Sequence, residues 1–409
     1  MERYVIIGAG AAGISAAQVL RDFKPQAVIT VISIDQHVHS RCMLHKFLGG
    51  ERDIPGISFV SQDFFDKNDI VHIPCERVDR IDTAEKTVWF GEGFSAPYDK
   101  LLIATGAGFF IPPIPHFREA PTVFGFRDLS DAGKIDGARA RGKRVFIVGS
   151  GLVGLDAASA LCHRGAEVTI AEMADRVMPL QTDDYAAGVY QKVFEDQGCR
   201  FLLGAGAADA VVDEAGNITE VIMSTGEHIP CDFIVMAAGV RPRIELAQAS
   251  GIAADRAITV DDHLRTSAPD VYAAGDCTGL SGVWPAAMEQ GKVAARNMAG
   301  IDEAYEKPYP FKNTSNFFGV TMLSVGRLDQ TEGAEVIVHH SPKEYKKAIV
   351  KDGKLTGYLS LGNISNSGLY LHLIKNGVDV SGKLDHIFRL TFADFYGINE
   401  TNGEYVYTV

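Results

Sequence analysis

Short apolar runs recur along this chain, each broken by glycine and followed by small and apolar residues at helical spacing. Tyr4 to Ile7 is such a run; it passes through Gly8-Ala9-Gly10-Ala11-Ala12-Gly13 into Ile14-Ser15-Ala16-Ala17-Gln18-Val19-Leu20, and a second strand runs from Ala27 to Ile34. The pattern predicts strand, tight turn, helix, strand. The same order returns at Lys143 to Val148, then Gly149-Ser150-Gly151-Leu152-Val153-Gly154, a helix from Leu155 to Leu161 and a strand from Glu167 to Ala171. Three further buried strands end at small residues: Ala104-Thr105-Gly106, Ala237-Ala238-Gly239 and Ala274-Gly275-Asp276. The chain therefore reads as α/β, with two Rossmann-like folds.

After Gly300 the texture changes. Alternation in Gly319 to Val325 and Glu335 to Val338 predicts strands, Lys351-Asp352-Gly353-Lys354 a hairpin turn, and Ser367 to Asn376 a helix. This predicts a third, α+β domain behind a linker at Lys307-Pro308-Tyr309-Pro310.

The glycine spacing gives the two turns their chemistry. In the first, Gly8 reverses the backbone, Gly10 leaves room for a pyrophosphate, and Gly13 lets the helix pack close to the strand, so that free N–H groups face an anion. Asp35, at the end of the second strand, is placed to accept hydrogen bonds from an adenosine ribose, though its spacing exceeds the usual one of about 20 residues. In the second turn Gly149, Gly151 and Gly154 repeat the arrangement, with Glu172 as the acidic residue; a carboxylate there favours NADH, since the 2′-phosphate of NADPH would be repelled, although Arg176 lies four residues on. Two nucleotide folds on one polypeptide imply two nucleotides, one reducing the other.

Composition narrows the class. With 409 residues, 46 % hydrophobic and 22 % charged, the chain is long enough for two or three cores, and its formal charge of −13 disfavours nucleic acid as a partner. Met1-Glu2-Arg3 leads straight into the first strand and no apolar run approaches about 18 residues, which predicts a cytoplasmic protein without signal peptide or membrane span. Six cysteines at wide intervals, with no C-x-x-C, argue against zinc, iron–sulfur clusters or a close redox disulfide, so no metal is expected. A disulfide between distant cysteines stays open.

Taken together, the two glycine turns, the Ala104-Thr105-Gly106 and Gly239 strand ends and Gly275-Asp276 resemble the two-dinucleotide flavoproteins of the pyridine nucleotide–disulfide oxidoreductase class over roughly residues 1 to 300. The resemblance implies FAD in a discontinuous domain, 1–114 and 241–306, NADH in 115–240, and an interface or dimerisation domain in 307–409. It implies Asp276 on the flavin's ribityl chain, Val78 at adenine, Arg127 among the cofactor contacts, and Trp284 opening a helix whose amides face the reduced flavin. His39-Ser40-Arg41-Cys42-Met43-Leu44-His45-Lys46 is similar to the Arg-x-x-Leu-x-Lys segment of rubredoxin and ferredoxin reductases and of the NADH-binding part of assimilatory nitrite reductase, which carries over Arg41 and Lys46 as cations near the flavin. Asp156 stands where relatives carry a glutamate that pairs with the flavin lysine; its shorter arm leaves that pairing open. Leu152 stands where an aromatic ring often covers the flavin.

The resemblance implies an NADH oxidoreductase passing electrons from FAD to an acidic carrier such as rubredoxin or ferredoxin, alone or as part of a larger reductase. Cys42 departs from the carrier reductases and supports a rival, an NADH oxidase or a coenzyme A-disulfide or persulfide reductase, in which Arg41 and Lys46 would depress the thiol's pKa; the other reading of Cys42, and the favoured one, is an inert, partly buried thiol. A third reading is a non-catalytic, NADH-sensing flavoprotein that changes its dimerisation on reduction. Ten basic and ten acidic residues after Lys307 leave the last domain neutral; Lys343, Lys346, Lys347, Lys351 and Lys354 form a basic cluster that an acidic carrier would meet. Dimerisation through the same domain, as in relatives, competes with that docking. The aromatic finish, Phe388 to Tyr407, is assigned to core or subunit contact.

Overall fold

The computed structural model describes residues 1–306, 310–329 and 331–407. Most of the linker expected at Lys307-Pro308-Tyr309-Pro310 lies outside them. The chain divides into two compact units, one of Met1–Gly149, Val153–Ala171 and the described part of Gly206–Pro308, the other of Ser150–Leu152, Glu172–Ala205 and the described part of Tyr309–Val409.

Two parallel sheets organise the first unit. In one, Arg3–Ile7 lies between Val28–Ile32 and Lys100–Ile103, with Ile70–Ile73 and Val271–Ala273 at the edges. In the other, Arg144–Val148 lies between Glu167–Glu172 and Phe233–Met236, and Val123–Phe124 pairs beyond the latter. The central strands are buried on both faces, which explains why they read as unbroken apolar runs rather than alternating ones. Each gives way to its glycine turn and then a helix, Ala11–Phe23 or Leu152–His163.

Both helices begin three residues before the apolar run predicts, so Gly13 and Gly154 sit inside the first turns. A Cβ at Gly13 would lie 1.9 Å from the Gly8 carbonyl oxygen and one at Gly154 2.0 Å from that of Gly149, so only glycine lets helix and strand approach this closely. The helix Trp284–Met298 crosses Ala11–Phe23 just as closely, for a Cβ at Gly291 would meet the Ala12 carbonyl oxygen at 2.1 Å. That crossing fixes where the start of Trp284–Met298 lies relative to the first glycine turn. Two antiparallel stretches, Ala107–Phe109 and Val240–Pro242, pair where the chain passes between the two parallel sheets.

In the second unit a five-stranded antiparallel sheet runs in the order Lys312–Phe317, Val320–Gly326, Lys354–Leu361, Tyr345–Lys351, Glu335–His340, and the helix Ser367–Asn376 covers it. The hairpin and helix fall where the sequence places them. Tyr358 and Tyr370 stack at 3.8 Å in its core, and Phe388, Phe395 and Tyr407 join them, so these aromatics are core. Phe392, Tyr396 and Tyr405 are exposed. Two lysines of the basic cluster are paired, Lys347 Nζ 3.2 Å from Asp183 and Lys346 Nζ 2.9 Å from Glu344, while Lys343, Lys351 and Lys354 are exposed.

Candidate functional site

The first turn is shaped for a phosphate. Gly8 holds φ +114°, Gly10 has nothing within 4 Å of the place a Cβ would take, and no side chain caps the helix that starts at Ala11, so its first N–H groups stay free for an anion. Asp35 is half-buried beyond the second strand, its backbone tied to the Ser33 hydroxyl. Val78 opens the antiparallel strand Val78–Asp82 and is buried.

Around this turn the chain gathers charge. Arg41 is half-buried on the short helix Arg41–Met43; its Nη1 donates to the Arg127 carbonyl, and loss of water around it together with Arg127 and Arg243 lowers its pKa. The Arg127 guanidinium in turn donates to Asp276 Oδ2 at 2.9 Å, while its backbone N–H is held by Asp131. Asp276 follows Gly275, whose φ of +86° and N–H bond to Gln290 Oε1 set the carboxylate just past the strand end. Asp131 and Gln290 carry no motif, and nothing in the sequence flags them. Thr105 Oγ1 donates to the Arg243 carbonyl at 3.2 Å, and Gly106 has φ +68°, where the backbone turns out of Ala104. Trp284 heads its helix with its ring edge-on to Phe59 at 4.9 Å.

FAD fits this set on two observations. Arg127 Nε and His39 Nε2 are buried with no hydrogen-bond partner among the described residues, and the space over Gly10 is open. The Arg127–Asp276 pair means that the ribityl contact implied for Asp276 falls to the carboxylate's other oxygen, or requires the pair to open.

The second turn repeats the design. Gly149 has φ +102° and Gly151 has open space around it. Glu172 is held fast: Oε2 accepts from the Ser150 N–H at 2.9 Å and hydroxyl at 3.0 Å, and Oε1 from the Ala174 N–H at 3.0 Å. Arg176, the residue that would welcome a 2′-phosphate, is occupied by Asp175 at 3.4 Å, Asp184 at 3.7 Å and the Pro179 carbonyl. In the first unit a small cleft is lined by Phe109, Phe126, Arg127, Val153, Met236 and Gly239, among others. Leu152 opens the second helix next to Val153.

Around Lys46 the charges pair in a way that the short Asp156 arm leaves open in the sequence. Lys46 Nζ binds both oxygens of Glu51, at 2.8 and 3.0 Å, and does not pair with Asp156. The short Asp156 side chain instead lies 3.5 Å from His45 Nδ1. On the helix Leu44–Leu48 adjacent residues point about 100° apart, so His45 and Lys46 serve different neighbours.

Cys42 bears on the two readings of its thiol. Its thiol reaches the surface, yet the protein crowds it from the other sides. Burial, followed by the carboxylates of Asp156 and Asp276, raises its pKa against a smaller opposing pull from Arg127. Arg41 and Lys46 do not make it a thiolate. None of the six cysteines forms a disulfide, so the distant bridge left open by the sequence is not present.

Comparison with known proteins agrees with this geometry. Residues 2–291 match the family described as pyridine nucleotide-disulphide oxidoreductase, and 312–378 match the rubredoxin NAD+ reductase C-terminal domain. The NADH-dependent phenylglyoxylate dehydrogenase subunit epsilon of Aromatoleum evansii is 32 % identical over 93 % of this chain and 93 % of that subunit. The NAD(P)H nitrite reductase of Bacillus subtilis (strain 168) is also 32 % identical over 93 % of this chain, which spans only 48 % of that protein. The structure of an NAD-dependent persulfide reductase from A. fulgidus superposes with a TM-score of 0.84 at 26 % identity, over 93 % of this chain and 78 % of the other. With two glycine turns built for pyrophosphate and a family match across 2–291, the chain belongs to the pyridine nucleotide-disulphide oxidoreductases, enzymes that use FAD and NADH.

Proposed function

We propose that this chain is an NADH:acceptor oxidoreductase of the cytoplasm that delivers electrons to a protein carrier of the rubredoxin or ferredoxin type, by itself or as the NADH-oxidising subunit of a larger reductase. In this reading 1–114 and 241–306 hold FAD, 115–240 hold NADH, and 307–409 form an interface through which two copies associate. Bound FAD supplies the chemistry that converts a two-electron hydride donor into a source of single electrons. The protein's share is placement and charge. The glycine turns seat the two pyrophosphates; Glu172 selects the unphosphorylated ribose; Arg41 and Arg127 supply positive charge in a partly buried place, where it acts more strongly than in water.

One observation carries the choice of acceptor. Cys42 is a free thiol held in its protonated form, and no other cysteine pairs with it, so the chain offers no dithiol of its own to receive the electrons. They must leave to an external acceptor. The match of 312–378 to a rubredoxin reductase domain supports a protein as that acceptor.

Cys42 also keeps the rival in view, since Asp156, Asp276 and Arg127 all act on it and a persulfide reductase shares the fold. Stopped-flow reoxidation of the NADH-reduced protein by rubredoxin, ferredoxin, oxygen and polysulfide separates the readings. Fast reoxidation by an iron–sulfur carrier, retained in Cys42→Ser, supports the proposal; reoxidation by polysulfide alone, lost in Cys42→Ser, overturns it.

A further inference from the structure

The His45–Asp156 contact has no counterpart in the functional reading above and deepens it. Asp156 stands on the first turns of the helix Leu152–His163, and His45 on the helix Leu44–Leu48 one residue from Lys46. His45 Nδ1 is buried and lacks a hydrogen-bond partner among the described residues; Asp156 Oδ1 lies 3.5 Å from it. Asp156 acts on Cys42, as do Arg127 and Asp276, and His45 faces the Cys42 backbone. This cluster therefore borders the residues assigned to FAD.

We infer that Asp156 and His45 share a single proton, Asp156 donating to His45 Nδ1, and that this uncharged pair, with Lys46 diverted to Glu51, sets the charge the reduced flavin meets. Neither side chain takes part in the hydride step; both are positioning residues. The inference rests on the reading that the site holds FAD.

The environment agrees on every side. Burial raises Asp156 to about 8, with Lys46 the opposing charge; burial and Lys46 lower His45 to about 4, against Glu51 and the Cys42 carbonyl, with Arg52 adding to the depression. Lys46 is neutralised by Glu51, on which His163 also acts. The helix Leu129–Arg141 packs against Leu44–Leu48, and its Asp136 is tied to Arg139 and Arg164. Near neutral pH the pair therefore carries one proton and no net charge.

A linked proton follows. FAD held by these residues would gain two electrons and one proton as hydride, and with them one negative charge. An ionised Asp156 would be repelled, so above its titration the reduced protein takes one further proton from solvent onto that carboxylate. No atom of substrate is consumed in this step. In that pH range reduction takes up two protons per two electrons instead of one.

Two measurements test this. In the FAD-free protein, infrared difference spectra between pH 6 and pH 9.5 are expected to show a protonated carboxyl band that disappears with a midpoint near pH 8 and is missing in Asp156→Asn. In the FAD-loaded protein, the midpoint potential against pH is expected to double its slope above that midpoint, to keep a single slope in Asp156→Asn, and to move its break point in His45→Gln. Lys46→Met should retain the doubled slope. A carboxyl band unaffected by Asp156→Asn, or a break in slope that Lys46→Met removes and Asp156→Asn does not, overturns the inference. Absence of FAD binding would instead end the functional reading, while the infrared titration would still decide the pair.

Discussion

Arg127 Nη2 lies 2.9 Å from Asp276 Oδ2, and both side chains are mostly buried, at 14 % and 21 % exposure. A residue from the stretch before the helix Leu129–Arg141 is thereby joined to one that follows a strand of the first parallel sheet, across 149 positions of sequence. Asp276→Ala leaves the Arg127 guanidinium with a buried, unpaired charge beside the flavin site. FAD affinity is expected to fall about 10- to 100-fold, from a loss of about 1.5–3 kcal/mol for a charged hydrogen bond, with Asp276→Asn intermediate. Fluorescence titration of FAD into the apoprotein measures it.

Gly10 and Gly13 should respond differently to the same added methyl group. Gly13→Ala drives a Cβ into the Gly8 carbonyl, so the apoprotein itself should lose about 1–3 kcal/mol in a denaturant titration. Gly10→Ala meets open space, so the apoprotein should unfold as the parent does while FAD affinity drops by about tenfold or more. Equal losses of stability in the two variants would contradict the assignment of that space to pyrophosphate.

Glu172 should govern which nucleotide is used. Its carboxylate is locked by Ser150 and Ala174, so Glu172→Ala removes both the ribose contact and the local order and should raise KM for NADH about tenfold, with a smaller effect on kcat. Because Arg176 is already paired with Asp175 and Asp184, the variant should not turn into an efficient NADPH enzyme. Steady-state kinetics with both nucleotides check this.

The stability of the apoprotein should depend on Asp156 in a defined pH window. A carboxyl whose folded pKa is raised to about 8 stabilises the fold at low pH and loses that contribution as pH rises. His45, lowered to about 4, acts in the opposite sense, so its contribution is lost as pH falls from its ordinary value of 6.5 toward 4. The two oppose each other below pH 6.5, and between 6.5 and 8 only Asp156 acts. Stability should therefore decline by about 1–2 kcal/mol over that interval, given one proton at about 1.36 kcal/mol per pH unit, reduced by the residue's partial exposure. Asp156→Asn should flatten the decline, as urea unfolding at pH 6.5 and pH 8 would reveal.

Much of this protein was legible in the residues themselves. The glycine turns, their flanking strands and the acidic residues Asp35 and Glu172 depend on backbone conformation and on spacings of a few to about thirty positions, so sequence order alone fixes them. The same holds for the hairpin at Asp352-Gly353 and the helix Ser367–Asn376. The helices at Ala11 and Leu152 start ahead of their apolar runs because their first turns hold small residues such as Gly13 and Gly154, whose role is close approach rather than apolar burial.

Which charge meets which was decided by the tertiary structure. Lys46 goes to Glu51 and Asp156 to His45, Cys42 has a raised rather than a depressed pKa, and Lys346 and Lys347 are tied to Glu344 and Asp183 instead of facing a partner. A side chain's partner depends on arm length, on the direction in which its helix points it, and on what distant segments bring near; its pKa depends on how much water those segments exclude. None of these is a property of neighbouring residues in the chain, so the sequence supplied the ionisable groups while packing chose their partners and their protons.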